Sequence, residues 1–259
     1  MEDLYEVFHR NFEVIHADSN DLLDEAYKLR YQIYCKENQY ENADDFPYDL
    51  EHDKYDSRSS HCLVKHIDSD CFAGVVRLIL PDRNNPEKQF PIEKACGNLF
   101  EPELLKNHYF PRESMAEISR FAVSRHFKEQ ILDQCNHCNQ TIDEHHTQIC
   151  NRLLLPHLPI GLLVAIIRMA AEEGITHWYA VMEATFLRFL SRFGIEFNAL
   201  GAPVEYHGLR IPCYVEIDEM MSGIYRKRPD IWELMSDHGR QWPLNNQVAR
   251  SLNMKTGAS

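Results

Sequence analysis

The stretch MAEISRFAVSR, residues 115–125, combines the alternation of a β-strand with a Glu, a Ser and an Arg within four residues. On a regular strand Glu117 and Ser119 share one face, whereas Arg120 lies on the other. A carboxylate in a partly dry site can accept a proton from an attacking amine, and a hydroxyl can hydrogen-bond a carbonyl. We therefore take Glu117 and Ser119 as candidate catalytic residues. We expect Arg120 to lie apart from them unless a bulge intervenes.

Further charged residues precede this stretch. The segment LEHDKYD places the carboxylates of Glu51, Asp53 and Asp56 within six residues, where they raise one another's pKa unless cations compensate. Arg77 lies in the apolar run VVRLIL, so it either faces solvent or pairs with a carboxylate, because burying it unpaired costs several kcal/mol. Two interpretations stay open: a solvated acidic loop, or a cage that recognises a positive amine with Arg77 as its charge partner.

Arg30 and Tyr34 are four residues apart in a segment with helical apolar periodicity, so they share a helix face, and Tyr40 follows six residues later. Spacing alone is more typical of an ordinary amphipathic helix. A second cluster, Cys135-x2-Cys138-x6-His145-x4-Cys150, resembles a zinc knuckle with a longer middle spacer. Thiolate and imidazole ligands suit tetrahedral zinc, but a mobile Cys/His-rich loop without metal explains the cluster more simply.

The composition limits the class of protein. The chain has 259 residues, 44% of them hydrophobic, which is enough for one large domain or two small ones. The net charge of -13 argues against nonspecific binding of nucleic acid, and residues 1–60 hold sixteen acidic but only six basic residues. The residues MEDLYEVFHRNFEVI show no basic start followed by an apolar core, so we do not expect them to be a signal peptide. The run PIGLLVAII is too short to span a bilayer. We expect a cytoplasmic protein with free thiols.

The elements that must position these residues alternate between strands and helices. Strands are predicted at 12–17, 61–67, 71–80, 117–123, 175–182 and 212–217, and helices at 18–38, 159–174 and 184–194. This order predicts an α/β or α+β layered domain around a mixed sheet. We expect a single domain over residues 1–227, a Cys/His-rich insertion or long loop at about 125–157, and a polar, loosely held tail over 228–259.

Four motifs follow one another along the chain: Arg30-x3-Tyr34-x5-Tyr40, Asp53-x2-Asp56, Arg77-Leu78 and Glu117-Ile118-Ser119-Arg120-Phe121. In this order they resemble the acyl-homoserine-lactone synthases, which carry Arg-x3-Phe-x5-Trp, Asp-x2-Asp, Arg-Leu and Glu-x-Ser-Arg-Phe. The nearer likeness is to N-acyl amino acid synthases and to the acyltransferases encoded beside exosortase/PEP-CTERM sorting systems. Tyr34 and Tyr40 stand where the lactone synthases have Phe and Trp, and the insertion is longer, which argues against use of S-adenosylmethionine.

The resemblance implies an acetyltransferase-superfamily-like α/β/α sandwich whose splayed mixed sheet admits a pantetheine arm. It implies an N-acyltransferase that moves a long fatty acyl chain from acyl-carrier protein to a small amino-acid-like amine, with no further cofactor. Glu117 would be the base and Ser119 a hydrogen-bonding partner. The implied acceptor-binding charge network comprises Arg30, Tyr34, Tyr40, Asp53, Asp56, Arg77 and Arg120. The acyl slot would be lined by Phe121, Leu163, Ile167, Trp178, Met182 and Phe186, each of which also fits a plain core.

Rival functions remain on the same fold. An acyl-homoserine-lactone synthase would use S-adenosylmethionine, a coenzyme A-dependent N-acetyltransferase would use acetyl-CoA, and a non-catalytic acyl-binding regulator would turn over nothing. The segment SRHFKEQ stands where an acetyl-CoA enzyme carries a Gly-rich turn into a helix, which favours a carrier-protein donor. Carrier protein is acidic, and an electrostatic docking patch on the less acidic part of the chain would suit it. Candidates for that patch are Arg112, Arg125, Lys128, Arg168, Arg188 and Arg192.

Overall fold

The structure, a computed structural model, describes residues 3–103, 110–138, 158–206 and 208–244, with the backbone alone over 132–138. Within these ranges no helix is long and apolar enough to cross a membrane. The chain divides into two compact units. The first comprises Met1–Ile79 and Ser119–Met169, and the second comprises Leu80–Ile118 and Ala170–Ser259.

The first unit packs helices on strands in the order β1-β2-β3-β4, in which β1, β2 and β3 pair antiparallel. Its elements are α1 (Leu4–Asn11), β1 (Phe12–His16), α2 (Asn20–Tyr31), β2 (Ser59–His66), β3 (Cys71–Ile79), the second half of β4 (Met115–Val123), α4 (Arg125–Cys138) and most of α5 (Leu158–Glu173). The hydroxyl of Ser19 caps α2 by accepting from the amide of Leu22, and α2 continues into a π-helical segment, Gln32–Glu37. That segment carries Tyr34.

The apolar side of α2 and the π-helical segment packs on the sheet through Ala26 and Ile33, against Leu63 of β2 and Val75 of β3. All four side chains are at most 2% exposed, so this contact fixes where α2 sits. Gly161 of α5 allows another close approach, because a Cβ there would lie 2.7 Å from the Phe8 ring of α1.

The second unit is built on the first half of β4 and a mixed set of strands. It also contains α3 (Pro91–Cys96), β5 (His177–Met182), α6 (Ala184–Ser191), β6 (Asn198–Ala199), β7 (Val204–Glu205), β8 (Leu209–Glu216), α7 (Ile217–Lys227) and α8 (Pro229–Ser236). β5 runs parallel to β4 and antiparallel to β8. The β4–β5 ladder ends at Glu117 and Tyr179, although β5 continues to Met182 along β8, so the sheet opens there.

The predicted fold class, an α/β architecture with a splayed mixed sheet, is confirmed. Two local expectations differ from the structure. The tail predicted to be loosely held begins with α8, where Ile231 is fully buried and Trp232 is 9% exposed, so apolar packing fixes this helix. Residues 245–259 lie outside the described residues. The insertion predicted as a loop begins with the regular helix α4, while residues 139–157 lie outside the described residues.

Candidate active site

A buried charge network in the first unit begins at Arg30, the last basic residue of α2. Its Nε donates to Glu51 Oε2 at 2.5 Å, and its two terminal nitrogens donate to the carboxylate of Asp56 at 2.7 and 3.3 Å. Arg30 and Glu51 are 0% and 1% exposed. Burial opposes ionisation of Glu51, but the guanidinium groups of Arg120 and Arg30 outweigh it and lower its pKa to about 2. The acidic loop is therefore structured around arginines, not solvated.

Arg77 of β3 enters the same network and is 1% exposed. It donates to Asp53 at 2.7 and 3.0 Å and to Asp56 at 2.6 Å, so both carboxylates of the Asp-x2-Asp motif bind one guanidinium. It also donates to Ser119 Oγ at 3.0 Å. Because that oxygen accepts from Arg77, the hydroxyl hydrogen of Ser119 can point towards another acceptor.

Arg120 joins the network through an unusual backbone conformation, with φ at 52°. A left-handed non-glycine residue costs about 1–2 kcal/mol and interrupts the alternation of β4. Ser119 and Arg120 therefore both contribute side chains to the network, and Arg120 binds Glu51 at 2.8 and 3.1 Å. A regular strand would have kept Arg120 apart from Ser119, and the left-handed turn of the backbone at Arg120 is the irregularity that brings its side chain into the network.

A neutral histidine packs against the buried side of the network. His61 of β2 is 1% exposed, and its Nε2 lies 3.5 Å from Asp56 Oδ1. Burial, together with the guanidinium of Arg30, lowers the pKa of His61 to about 3, so the ring is uncharged at neutral pH. Three guanidinium groups then meet four carboxylates, since Glu41 also accepts from Arg120 at 3.2 Å. The network has a formal net charge of -1.

The two tyrosines of the first motif lie beside this network. The guanidinium of Arg120 stacks over the Tyr34 ring at 4.9 Å, and the Tyr34 and Tyr40 ring centroids are 6.2 Å apart. Tyr40 is 37% exposed, and the Asp53 and Glu41 side chains are 28% and 30% exposed. The aromatic rings and these two carboxylates form the solvent-accessible rim of an otherwise buried network.

A second polar contact in the first unit lies where β4 leads into α4. The carboxylate of Glu37 accepts from Ser124 Oγ at 2.9 Å and from the backbone amides of Arg125 and His126 at 2.8 and 3.1 Å. These amides belong to the amino end of α4, where helices in general attract anions. The protein's own carboxylate thus takes the place that a phosphate group would occupy at such a helix end.

In the second unit, Glu117 is 6% exposed and its Oε2 accepts from the backbone amide of Ile92 in α3 at 2.9 Å. The parallel ladder places Glu117 beside Tyr179 of β5. Burial, with the nearby carboxylates of Glu93 and Glu117, raises the pKa of Tyr179, so the phenol stays protonated. The carboxylate of Glu117 is therefore held in a dry setting next to a proton donor.

A cavity of about 900 Å³ lies in the same unit, lined among others by Glu93, Phe100, Arg112 and Tyr179. Arg112 is held rigidly on its wall: it pairs with Glu93, donates to the carbonyls of Pro86 and Lys88, and stacks on an aromatic ring. The volume falls within the range of small-molecule binding sites. The wall combines aromatic surface with charged groups that can orient a polar ligand.

Comparisons with known proteins bear on the fold. Residues 29–135 match the family model of the acetyltransferase (GNAT) domain. TofI, solved in a ternary complex with an inhibitor and MTA, is similar with a TM-score of 0.55 and 17% identity, over 85% of this chain and 99% of that one. The AHL synthase LasI is similar with a TM-score of 0.55 and 16% identity, over 83% of this chain and 95% of that one. FeeM, an N-acyl amino acid synthase from uncultured soil microbes, is similar with a TM-score of 0.52 and 12% identity, over 82% of this chain and 95% of that one. No curated protein sequence matches the chain.

The fold is that of the acyl-homoserine-lactone synthases. Identities this low establish the shared fold alone, and the resemblance predicted from the four motifs is confirmed at that level. Together with the GNAT domain match, the fold supports an acyltransferase. On this synthase fold, the motif residues of the first unit meet in one charge network, and Glu117 lies in the second unit.

The residues predicted for an acyl slot are distributed over both units. In the first unit, Leu163 and Ile167 of α5 are buried and Phe121 of β4 is partly exposed. In the second unit, Trp178 and Met182 are buried and Phe186 is partly exposed. Of the possible zinc ligands, Cys135 and Cys138 belong to α4, where only the backbone is described, and His145 and Cys150 lie outside the described residues.

Three residues of the synthase fold escaped sequence reasoning. His61 stands opposite Arg77 in the β2–β3 register, so a hairpin alignment would have suggested that they are neighbours. Glu41 follows Tyr40 directly, but nothing in its surroundings indicates a partner 79 residues away. Glu37 has no sequence signal either, because the helix end that it caps comes 88 residues later.

Proposed function

We propose that the protein is an N-acyltransferase that moves a long fatty acyl chain from acyl-carrier protein to the amine of a small amino-acid-like acceptor. The observation that carries the proposal is the buried network of Arg30, Arg77 and Arg120 with Ser119, assembled from all four motifs. Two features argue against a purely structural role for it. Arg120 adopts a strained left-handed backbone conformation, and the network carries one excess negative charge beside the accessible rim of Asp53 and Glu41.

The rim supports recognition of a cation. Asp53 and Glu41 are the more exposed carboxylates of the network, and the rings of Tyr34 and Tyr40 lie beside them. A protonated amine would gain both from the excess negative charge and from an aromatic face. The buried arginines keep the aspartates in place, so the acceptor would meet a preorganised anionic surface.

Glu117 is the proposed general base. It accepts a proton from the acceptor's ammonium group, and the free amine nitrogen then attacks the thioester carbonyl carbon. The C–N bond forms, the nitrogen gives up its second proton, the tetrahedral intermediate collapses and the C–S bond breaks. The leaving pantetheine thiolate takes up that second proton, and Glu117 releases its own proton to solvent. The amide of Ile92 holds the Glu117 carboxylate in position, and Ser119 would hydrogen-bond the acyl carbonyl or the amine.

The contact of Glu37 with α4 supports a carrier-bound donor over free coenzyme A. Phosphate groups bind readily at helix amino ends because several amides converge there. Here the amides of Arg125 and His126 already donate to the Glu37 carboxylate. A diphosphate would have to displace that carboxylate, whereas a carrier protein supplies binding energy through its own surface. The acyl chain itself would occupy a slot lined by residues such as Trp178 and Met182.

A second candidate is a lactone-forming synthase that takes S-adenosylmethionine. The anionic rim favours it as well, since a sulfonium carries the same positive charge as an ammonium. The two candidates differ in product: a stable N-acyl amino acid in the first case, and an acyl-homoserine lactone with release of methylthioadenosine in the second.

Mass spectrometry of lipid extracts from an expressing host tests the proposal, because one mass reports both acyl length and head group. We expect a new N-acyl amino acid in cells with the wild-type chain and its loss with Glu117→Gln at equal protein level. An acyl lactone in its place would support the second candidate. Extracts that are identical for the wild-type chain and the empty host would contradict both.

A further inference from the structure

The inner end of the cavity in the second unit is formed by aromatic rings and a hydroxyl group. Tyr179 lines the cavity and is 2% exposed, and Phe100 beside it is 7% exposed. The ring centroid of Tyr179 lies 6.0, 6.3 and 5.9 Å from those of Phe90, Phe100 and Phe110. Because three phenyl rings pack around it, the Tyr179 ring presents its hydroxyl from a fixed position.

The hydroxyl of Tyr179 has no hydrogen-bond partner among the residues that the structure describes. Leaving a buried hydroxyl unpaired is unfavourable, and such groups in folded proteins generally bind water or a ligand. Burial raises the pKa of Tyr179, so the phenol stays protonated and can both donate and accept a hydrogen bond. The hydroxyl is therefore a contact point for a polar group of a bound molecule.

The charged groups on the inner wall of the cavity are already paired. Arg112 donates to Glu93 and to two backbone carbonyls, and the second carboxylate oxygen of Glu93 accepts from the amide of Phe90 at 2.8 Å. A charged group of a ligand would have to break these contacts. The other charged residues of the lining, Glu87 and Lys94, are exposed at the mouth. The inner end therefore favours an uncharged polar group.

The cavity wall adjoins the proposed general base. Glu117 and Tyr179 are register partners in the parallel ladder of β4 and β5, so their side chains point to the same face of the sheet. Neighbouring strands lie about 4.8 Å apart. An amine held at Glu117 is therefore about the length of one amino-acid side chain away from the hydroxyl of Tyr179.

We propose that this cavity binds the side chain of the acceptor amino acid, and that it selects an uncharged side chain whose hydroxyl or amide group hydrogen-bonds the Tyr179 hydroxyl. The inference rests on the proposed function, because it takes the acceptor amine to lie at Glu117. The rings of Phe100 and Tyr179 would cover the apolar part of the side chain. A pocket built to pair with a polar group discriminates against an isostere without it, since the polar group of the pocket then stays unpaired.

Acyl transfer to pairs of acceptors with nearly equal shapes tests the proposal. The pairs are threonine with valine, asparagine with leucine, and glutamine with methionine. In the wild type, kcat/KM should be at least tenfold higher for the polar member of one or more pairs. Tyr179→Phe should lose about three- to tenfold in kcat/KM for that member, through a higher acceptor KM, and keep the wild-type value for its apolar partner.

Tyr225→Phe is the matched control, because it removes the same group from a partly exposed tyrosine of α7 outside the cavity lining. It should resemble the wild type with all six acceptors, and denaturation midpoints check that both variants are folded. A wild type that prefers the polar member of no pair would overturn the proposal. So would a Tyr179→Phe variant in which both members of the preferred pair change equally, or neither changes.

The split between kcat and KM gives a second readout. A lower kcat in Tyr179→Phe with an unchanged acceptor KM would overturn side-chain recognition, because Tyr179 would then act in the chemical step. Titration calorimetry with the same six amino acids separates the pocket from the proposed function. Binding of a polar amino acid that depends on Tyr179, without any acyl transfer, would support the pocket while the proposed function fails. Neither binding nor transfer with any of the six would overturn the pocket as well.

Discussion

Removing the charge of Glu51 should destabilise the first unit strongly. Its carboxylate is 1% exposed and accepts from Arg30 at 2.5 Å and from Arg120 at 2.8 and 3.1 Å. Glu51→Gln leaves both guanidinium groups with excess buried charge, and breaking a buried pair of this kind costs about 3–5 kcal/mol. The fall in the pKa of Glu51 from 4.5 to about 2 corresponds to about 3 kcal/mol, which agrees.

Urea denaturation of the wild type and Glu51→Gln at neutral pH measures this loss, and we expect the midpoint to fall by about 1–2 M. Because the folded-state pKa of Glu51 is depressed, its contribution is complete above pH 4.5 and is lost as the pH falls towards 2. The difference between wild type and variant should therefore narrow over that window.

Glu25→Gln is the matched control, since it removes a carboxylate that pairs with Lys28 on the exposed surface of α2. Its denaturation midpoint should equal that of the wild type. A loss below about 1 kcal/mol for Glu51→Gln, or a difference that stays constant down to pH 2, would refute the assignment of Glu51 as the buried centre of the network.

Three further predictions concern the site. Asp53→Asn should raise the acceptor KM roughly tenfold, the effect of ~1.4 kcal/mol, and leave the donor KM unchanged; an unchanged acceptor KM would count against the anionic rim. Glu37→Gln should lower the KM for acyl-CoA severalfold without altering kinetics with the acyl carrier, and no gain in acyl-CoA use would argue against the blocking role of Glu37. Arg120→Gly keeps the left-handed backbone but removes the guanidinium, so the variant should lose activity. Its denaturation midpoint should nevertheless be higher than that of Arg120→Val, because valine is strained in this conformation. A lower midpoint for Arg120→Gly than for Arg120→Val would contradict the strain at this residue.

The apolar periodicity and the turn residues of the sequence were sufficient to predict most of the helices and strands. The β2–β3 hairpin, α2, α5 and β5 carry clear apolar patterns over their full lengths, and each forms close to its predicted bounds. α1 and α7 were missed because they are short and their apolar residues are interspersed with charged ones, although α1 buries Phe8 and α7 buries five side chains, among them Ile224. Their helical state depends on packing that the local sequence does not reveal.

The motif residues of the charge network were predictable from the sequence, but His61, Glu41 and the geometry of the network were not. The motif spacing identified Arg30, Arg77 and the aspartates, yet a regular strand places Arg120 on the wrong face. Only the left-handed φ of Arg120 explains how it reaches Glu51, and no local sequence rule requires that conformation of an arginine. The contact of Glu37 with α4 is equally hidden, since it joins segments 88 residues apart.

The central claim, acyl transfer to an amine with Glu117 as base, is tested most directly by reacting purified protein with a long-chain acyl-carrier protein and a panel of amino acids. Mass spectrometry would follow the amide product. We predict an N-acyl amino acid with the wild type and a kcat reduced by about 10²–10⁴-fold in Glu117→Gln, with the fold retained. Turnover of Glu117→Gln at the wild-type rate, or no amide product from the wild type with any acceptor, would contradict the claim.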